Sequence, residues 1–171
     1  MIIYDDIVNF HCPRWNELPD IDLYMDQVVS IIEKHFSLFS GDKNKIITAA
    51  MVNNYVKQKV VKPPKNKKYD RVHLAYLIPV CIFKQIMGIQ DICKCISFLL
   101  SDYDLPQAYD AFCSLLEEGL KNAFICCETT YISDKDTTNM RLVKSIIISF
   151  SNLQYSKYLL ENTDILNCND D

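Results

Sequence analysis

Glycine is scarce in this chain of 171 residues, which contains only 3, and proline is limited to 6. Turn-rich β folds use many residues of both kinds, so their scarcity favours helices. Apolar residues make up 49% and charged residues 23% of the chain, which is typical of a globular protein. The length accommodates one domain, or a small domain with a helical appendage.

Long apolar runs are also missing. The longest, residues 77–83, is far shorter than the roughly 20 residues that span a bilayer, and it contains Pro79. The first ten residues include Asp5 and Asp6 but no basic residue, unlike an export signal. The sequence therefore predicts a soluble cytoplasmic protein with no membrane partner.

The spacing of zinc ligands is absent, although the chain has 8 cysteines. No C-x-x-C pair occurs, and Cys93 and Cys95 would point to different sides of a helix. Without an export signal we expect these thiols to be reduced and mostly buried. A structural metal site is the alternative, but we predict neither a metal nor another cofactor.

Features of an active site are lacking as well. The chain has no glycine-rich phosphate loop and no nucleophile spaced to act with a base. His73 is expected on a helix surface with no carboxylate or cysteine positioned to act with it. Glu117 and Glu118 are expected on a solvated helix face. We therefore predict that the protein is not an enzyme.

Apolar residues recur every three or four positions in several stretches, which predicts an all-α protein with one small two-stranded wing. The predicted helices span residues 21–39, 48–57, 71–87, 89–100, 105–127 and 139–160. A kink or break is expected near Leu77, before Pro79. The predicted parts are an irregular segment 1–20 anchored by Trp15, a winged-helix domain 21–100, a C-terminal helical pair 101–161 and a flexible acidic tail 162–171.

Several helix ends carry recognisable signals. Thr48, Asp70 and Asp104 are good N-caps, and Pro106 suits the first turn after Asp104. Asp136 or Thr138 is expected to cap the last helix, and Gly41 to end the first long one.

Positive charge is concentrated in one stretch. Residues 43–71 contain nine Lys or Arg and a single acid, Asp70, which gives a net charge of +8. The whole chain has a net charge of −4, so the remainder carries −12. A basic region on an acidic protein indicates a polyanionic partner.

Residues 48–57 predict a short helix with two different faces. Ala49, Val52 and Val56 share one side, and Tyr55 lies close to it. The opposite row consists of Ala50, Asn53, Asn54 and Lys57. Asparagine can pair with an adenine edge in the major groove, and lysine can reach a phosphate. A solvated face with no partner is the simpler interpretation of this row alone.

The residues after this helix predict a basic hairpin. Val60 and Val61 can enter a strand, Lys65 and Asn66 can turn, and residues 67–69 can return as a second strand. A lysine-tipped hairpin beside a short polar helix is typical of a winged helix. The predicted wing spans residues 61–69.

These residues carry a resemblance to a known family. Residues 47–96 resemble the DNA-binding domain of the MerR-type regulators, a winged helix-turn-helix with a following helix pair. Residues 48–55 lie where that family has its recognition helix. Residues 60–64 resemble its leucine-leucine-proline run, residues 68–70 the end of its wing, and residues 87–92 the turn in its last helix pair.

Two positions depart from that pattern. The family's glycine before the wing is Lys59 here, and its usual recognition-helix arginine is Asn53. Residues 14–27 and 52–57 also resemble an uncharacterised bacterial family of the "domain of unknown function" type, whose members are suspected transcriptional regulators. Both resemblances imply a DNA-binding regulator.

The predicted function is therefore binding of double-stranded DNA to regulate transcription. Asn53 and Asn54 are expected to read base edges, with Ala50 as a further candidate, and Tyr55 to support the helix or touch a phosphate. The expected phosphate contacts are Lys57, Lys62, Lys65, Lys67, Lys68 and Arg71. The alternative is a protein–protein adaptor that keeps the fold without binding DNA.

The last predicted helix, residues 139–160, is apolar on more than one side. Such a helix needs more than one neighbour to cover it. Either the C-terminal helices form a homodimer interface, or they complete the core of the monomer. Both interpretations stay open at this point, as does a small effector bound there.

Overall fold

The computed structural model describes residues 4–40, 45–126 and 132–162, and helices joined by turns and loops make up these ranges. The seven α-helices are α1 (Tyr4–Val8), α2 (Met25–Phe36), α3 (Ala49–Lys57), α4 (Arg71–Phe83), α5 (Ile89–Asp102), α6 (Leu105–Lys121) and α7 (Thr138–Asn162). The described residues form no strand, only isolated bridges. The all-α prediction is confirmed, whereas the predicted two-stranded wing is wrong.

The predicted caps at three helix starts are present. Thr48 Oγ1 accepts a hydrogen bond from the Met51 amide at 3.2 Å. The Asp70 and Asp104 carboxylates each accept one from the amide three residues later, at 3.1 and 2.9 Å. Each bond satisfies an amide that the helix leaves without a partner. At α7 the cap differs from the prediction, because Thr137 Oγ1 accepts from the Met140 amide at 3.2 Å.

In the N-terminal part of the chain the helix boundaries differ from the predicted ones. The predicted irregular segment contains α1 and a 3₁₀ turn at Trp15–Glu17. The first long helix begins at Met25, because Leu23 forms a backbone bridge with Tyr69 instead of a helical turn. A second 3₁₀ turn, Ser37–Phe39, ends it. The stop predicted at Gly41 lies outside the described residues.

Two other helices also differ from their predicted ends. Helix α4 runs without interruption past Leu77 and Pro79 and ends at Phe83. The alternative of a break near Leu77 is therefore wrong, and the alternative of a kink stays a prediction. Pro79 is buried inside α4. Helix α6 ends at Lys121 and passes into a π-helical turn, Asn122–Cys126, in place of the single helix expected to residue 127.

The core is one continuous cluster of buried apolar side chains that draws on every α-helix of the described residues. Helix α7 packs against α4, α5 and α6, and its buried side chains include Val143, Ile147 and Phe150. Most of the apolar surface that suggested a dimer interface is therefore covered within the chain. The division of the chain at residue 100 stays a prediction.

The N-terminal segment 11–15 is fastened to α6 by polar contacts. The Glu117 carboxylate accepts hydrogen bonds from the Cys12 amide at 2.9 Å and from the Arg14 guanidinium at 2.9 and 2.7 Å. Tyr109 Oη donates to the Pro13 carbonyl at 2.9 Å. Burial acts to raise the pKa of Glu117, but these donors outweigh it and the pKa lies below its usual value. Glu117 therefore stabilises the fold as an anion and does not lie on a solvated face.

We expect Glu117→Gln to lower the free energy of unfolding by about 2 kcal/mol at pH 7, since hydrogen bonds to a charged group are lost. A lowered folded-state pKa gives stability that is present above the unfolded pKa, about 4.3, and is lost as the pH falls through the folded value. The difference between variant and wild type should therefore shrink in urea titrations below about pH 4. The exposed neighbour variant Glu118→Gln is the control. A difference that is independent of pH would contradict this role.

Five cysteines of the described residues have free thiols. Cys12, Cys81, Cys95 and Cys113 are buried, and Cys93 is partly exposed. The thiols of Cys12 and Cys113 lie 3.1 Å apart beneath the N-terminal segment. No group of three metal-ligating side chains occurs in the described ranges. Each α-helix of these ranges is too short or too polar to traverse a bilayer.

Candidate nucleic-acid interface

Helix α3 is held in place by the residues that precede it and by its own apolar side. Ile46 and Ile47 are buried, and the Ile47 amide donates to Glu33 Oε1 of α2 at 3.0 Å. Val52 and Tyr55 face the core. These contacts fix the orientation of α3 and leave its other side to solvent.

The predicted base-reading row lies on that open side. Ala50, Asn53, Asn54 and Lys57 are all exposed. Asn54 Oδ1 accepts a hydrogen bond from Gln58 Nε2 at 3.2 Å, an exposed contact that water or a base could replace. The row therefore offers two amides and one ammonium group to a partner.

Tyr55 lies on the opposite side from this row. Its side chain is 2% exposed, and burial, followed by the nearby Cys81, raises its pKa to about 12. Of the two roles expected for Tyr55, support of the helix fits this position. Contact with a phosphate does not, because the ring lies in the core.

The end of α3 forms a Schellman motif without glycine. The Lys59 amide donates to the Val56 carbonyl and the Val60 amide to the Tyr55 carbonyl, both at 3.0 Å. Lys59 adopts a φ of 60°, in the left-handed region. Lysine is strained at this φ because of its Cβ.

We expect Lys59→Gly to raise the free energy of unfolding by about 0.5–1 kcal/mol, since glycine adopts this φ without strain. Urea unfolding of the variant and the wild type measures the difference. Lys59→Ala is the matched control, because it removes the same charge but keeps the Cβ. Equal gains in both variants would show that charge, and not backbone strain, is responsible.

The lysine-rich loop turns tightly but lacks the predicted strands. Lys65 and Lys68 exchange backbone hydrogen bonds at 3.1 and 2.9 Å around Asn66 and Lys67, whose φ values are 51° and 61°. These are the angles of a type I′ turn. Val60 and Val61 are buried and pair with no second strand.

The base of this loop is attached to the start of α2. Leu23 and Tyr69 exchange two backbone hydrogen bonds, each of 2.8 Å, and both side chains are buried. Lys68 Nζ lies 5.5 Å from the centroid of the Tyr24 ring. The turn is therefore held against the body of the protein.

The predicted phosphate-contacting residues fall into three environments. Lys57 and Lys62 line a groove at the end of α3, and they do so together with Lys59, which the prediction omitted. Lys65 and Lys67 are exposed on the turn, and Lys68 is half-buried beside it.

Arg71 occupies the third environment. Its guanidinium lies 3.5 Å from Asp20 and 5.6 Å from the centroid of the Trp15 ring, and it shares a cleft with Asp22 and Asp70. These acids make Arg71 a weaker candidate for a phosphate contact than the lysines. The acidic segment 20–22 is the sequence signal for this neutralised environment. It lies about 50 residues before Arg71 in the chain, so the pattern of the basic stretch alone does not reveal it.

His73 contradicts its predicted surface position. It is buried, and its Nδ1 lies 2.6 Å from Asp70 Oδ1 and 3.0 Å from the Asp70 amide nitrogen. Burial acts to raise the pKa of Asp70, but the hydrogen bonds from His73 outweigh it and lower the pKa. Asp70 caps α4 as predicted, and its three-residue spacing from His73 is that of a capping box, a signal that could have placed the His73 ring beside Asp70.

Comparison with known proteins finds a family but no named relative. No curated protein and no solved structure matches the chain significantly. A family described as "Domain of unknown function (DUF1836)" matches residues 13–112. This segment contains α2 to α5 and the lysine-rich loop. The chain belongs to this DUF1836 family.

Proposed function

We propose that the protein is a DNA-binding transcriptional regulator of MerR-like type, with α3 in the major groove and the lysine-rich loop on the neighbouring phosphates. The observation that carries the proposal is the exposed row on α3, which presents Asn53, Asn54 and Lys57 from a helix fixed on its other side. Such a row can hydrogen-bond base edges without any change of fold.

The charge distribution supports the same orientation. The basic stretch of +8 contains α3 and its loop, whereas the remainder of the chain carries −12. DNA is repelled by the remainder and attracted to this stretch. The exposed lysines therefore have a role in the proposal that a solvated loop does not require.

The first experiment is binding to random duplex DNA at low salt, measured by fluorescence anisotropy. Saturable binding that weakens as salt is added supports the proposal. Duplexes selected from a random pool then supply the preferred sequence for further tests.

We expect Asn53→Ala to reduce discrimination between the selected duplex and random duplex by about tenfold, because a bidentate base contact is worth about 1–3 kcal/mol. Binding to random duplex should change little, since no phosphate contact is removed. Ser30→Ala, an exposed position on α2, is the control. An unchanged preference in Asn53→Ala would remove this residue from the base-reading set.

The second candidate function is that of an adaptor that binds another protein instead of DNA. The observation that favours it is the lysine-rich loop itself, which is held against α2 and does not project as a two-stranded wing. Complete absence of binding to random duplex at low salt would favour the adaptor over the regulator.

The proposal includes a homodimer. Two-fold symmetric proteins place two recognition helices about 34 Å apart on one face of a duplex. Leu160 near the end of α7 is 72% exposed, and Ile125 in the π-helical turn after α6 is 52% exposed, which leaves apolar surface at the C-terminal helices. Sedimentation as a monomer at micromolar concentration, with and without duplex, would contradict the dimer.

A further inference from the structure

A groove of about 560 Å³ lies between the end of α3 and the exposed side of α5. Three lysines line it, Lys57, Lys59 and Lys62. Among the described residues that line it, none is acidic. A ligand in this groove would therefore meet positive charge with no neutralising partner in the wall.

The floor of the groove is apolar. It is formed by Tyr76 of α4 together with Ile96 and Leu100 of α5, all of which are partly exposed. A phosphate backbone gains nothing from such a floor, because apolar surface is stabilised by covering it with other apolar groups. The groove therefore combines positive charge with an apolar floor that a phosphate backbone would leave uncovered.

The same three floor residues also line a second, smaller cavity of about 40 Å³ that leads into the core. Its other walls include Phe83 and Phe112, and its lining is almost wholly apolar. The groove and the cavity thus share one wall. A narrow apolar chain can lie along that wall, whereas a helix about 10 Å across cannot enter the cavity.

We propose that this groove binds a small anionic amphiphile, a monocarboxylate with an unbranched apolar chain. The carboxylate lies among the three lysines, and the chain covers Tyr76, Ile96 and Leu100. The volume falls within the roughly 300–1,000 Å³ of small-molecule sites. The charge and the floor agree with this one occupant, and the inference does not depend on DNA binding.

Octanoate is a suitable probe, and its neutral isostere octanamide is the matched ligand control. Isothermal titration calorimetry of the full chain should show one site for octanoate and binding at least about tenfold weaker for octanamide, because the amide lacks the charge that meets three lysines. Equal affinities would overturn the proposal.

Cys93 provides a second measurement, because it lines the groove and its thiol is partly exposed. Saturating octanoate should slow alkylation of Cys93 by iodoacetamide, followed by peptide mass spectrometry, by about fivefold or more, since a bound chain shields the thiol. At a concentration equal to the octanoate Kd, octanamide should slow the reaction much less than octanoate does. An unchanged rate with octanoate would place any binding outside this groove.

Two variants locate the site. Ser97 is exposed on α5 and lines the groove, so Ser97→Trp should fill it and abolish octanoate binding without unfolding the chain. Replacing Lys57, Lys59 and Lys62 together with Gln should weaken octanoate about tenfold. The control replaces the exposed Lys84, Lys121 and Lys135 with Gln, which gives the same net charge.

Three results would overturn the proposal. The first is unchanged octanoate affinity in the filled variant. The second is equal weakening by the control triple variant, which would indicate a general effect of charge. The third is saturable binding of an acidic amphipathic peptide together with no binding of octanoate, which would make the groove a protein-docking surface.

Discussion

Replacing Lys65, Lys67 and Lys68 with Gln is expected to weaken binding to every duplex by about a hundredfold at 0.15 M salt. Each lost phosphate contact removes about 0.9 from the slope of log affinity against log salt, so the slope should fall by nearly three. The effect should be the same for selected and random duplexes, because phosphates carry no sequence information. Fluorescence anisotropy across a salt series measures both quantities.

The matched control again replaces Lys84, Lys121 and Lys135 with Gln. It changes the net charge from −4 by the same amount but alters exposed lysines outside the basic stretch. Its salt slope should match that of the wild type. If the turn variant keeps the wild-type affinity and slope, the turn does not contact phosphates. If both triple variants lose affinity equally, net charge alone determines binding.

Gly119→Ala is expected to destabilise the protein by about 1–3 kcal/mol, because it adds a methyl group where α6 and α7 touch. A Cβ at this position would lie 2.6 Å from Ile147 Cγ2 and 2.9 Å from Ser151 Oγ. Ile147 is β-branched and stiff, and both neighbours are buried, so neither can move away freely. The helix propensity of alanine, worth up to about 1 kcal/mol over glycine, only partly offsets the clash.

Urea unfolding at neutral pH measures this loss. Ser114→Ala is the control, because Ser114 is exposed on the same helix and should gain stability from the better helix former. A Gly119→Ala variant as stable as the wild type would mean that α6 and α7 can separate by several tenths of an ångström without loss. That result would also reopen the C-terminal helices as a loosely packed pair with surface available for a second copy.

The helix starts could be predicted because their determinants are local. At Thr48, Asp70 and Asp104 the capping oxygen and the amide it satisfies are three residues apart, so sequence spacing is sufficient. The exposed row of α3 follows from periodicity in the same way. The cap of α7 was placed one residue off, since several neighbouring residues there can accept the same bond.

The conformation of residues 61–69 could not be predicted correctly, because it depends on contacts with residues far away in the chain. Tyr69 pairs with Leu23, and Val60 packs as the last residue of a Schellman motif. Neither contact leaves a pattern in the lysine-rich stretch. The type I′ turn was in part foreseeable, since Asn66 tolerates the left-handed region that such a turn requires.

Sequence alone determined most of the long helices, where most of them begin, and that positive charge gathers around one short helix. These properties depend on residues within one or two turns of each other. Tertiary structure decided that Glu117 anchors Arg14, 103 residues away, and that His73 and Tyr55 are buried. It also decided that three lysines and an apolar floor share one groove. Such contacts join residues far apart in the chain, and their geometry arises only when the helices pack.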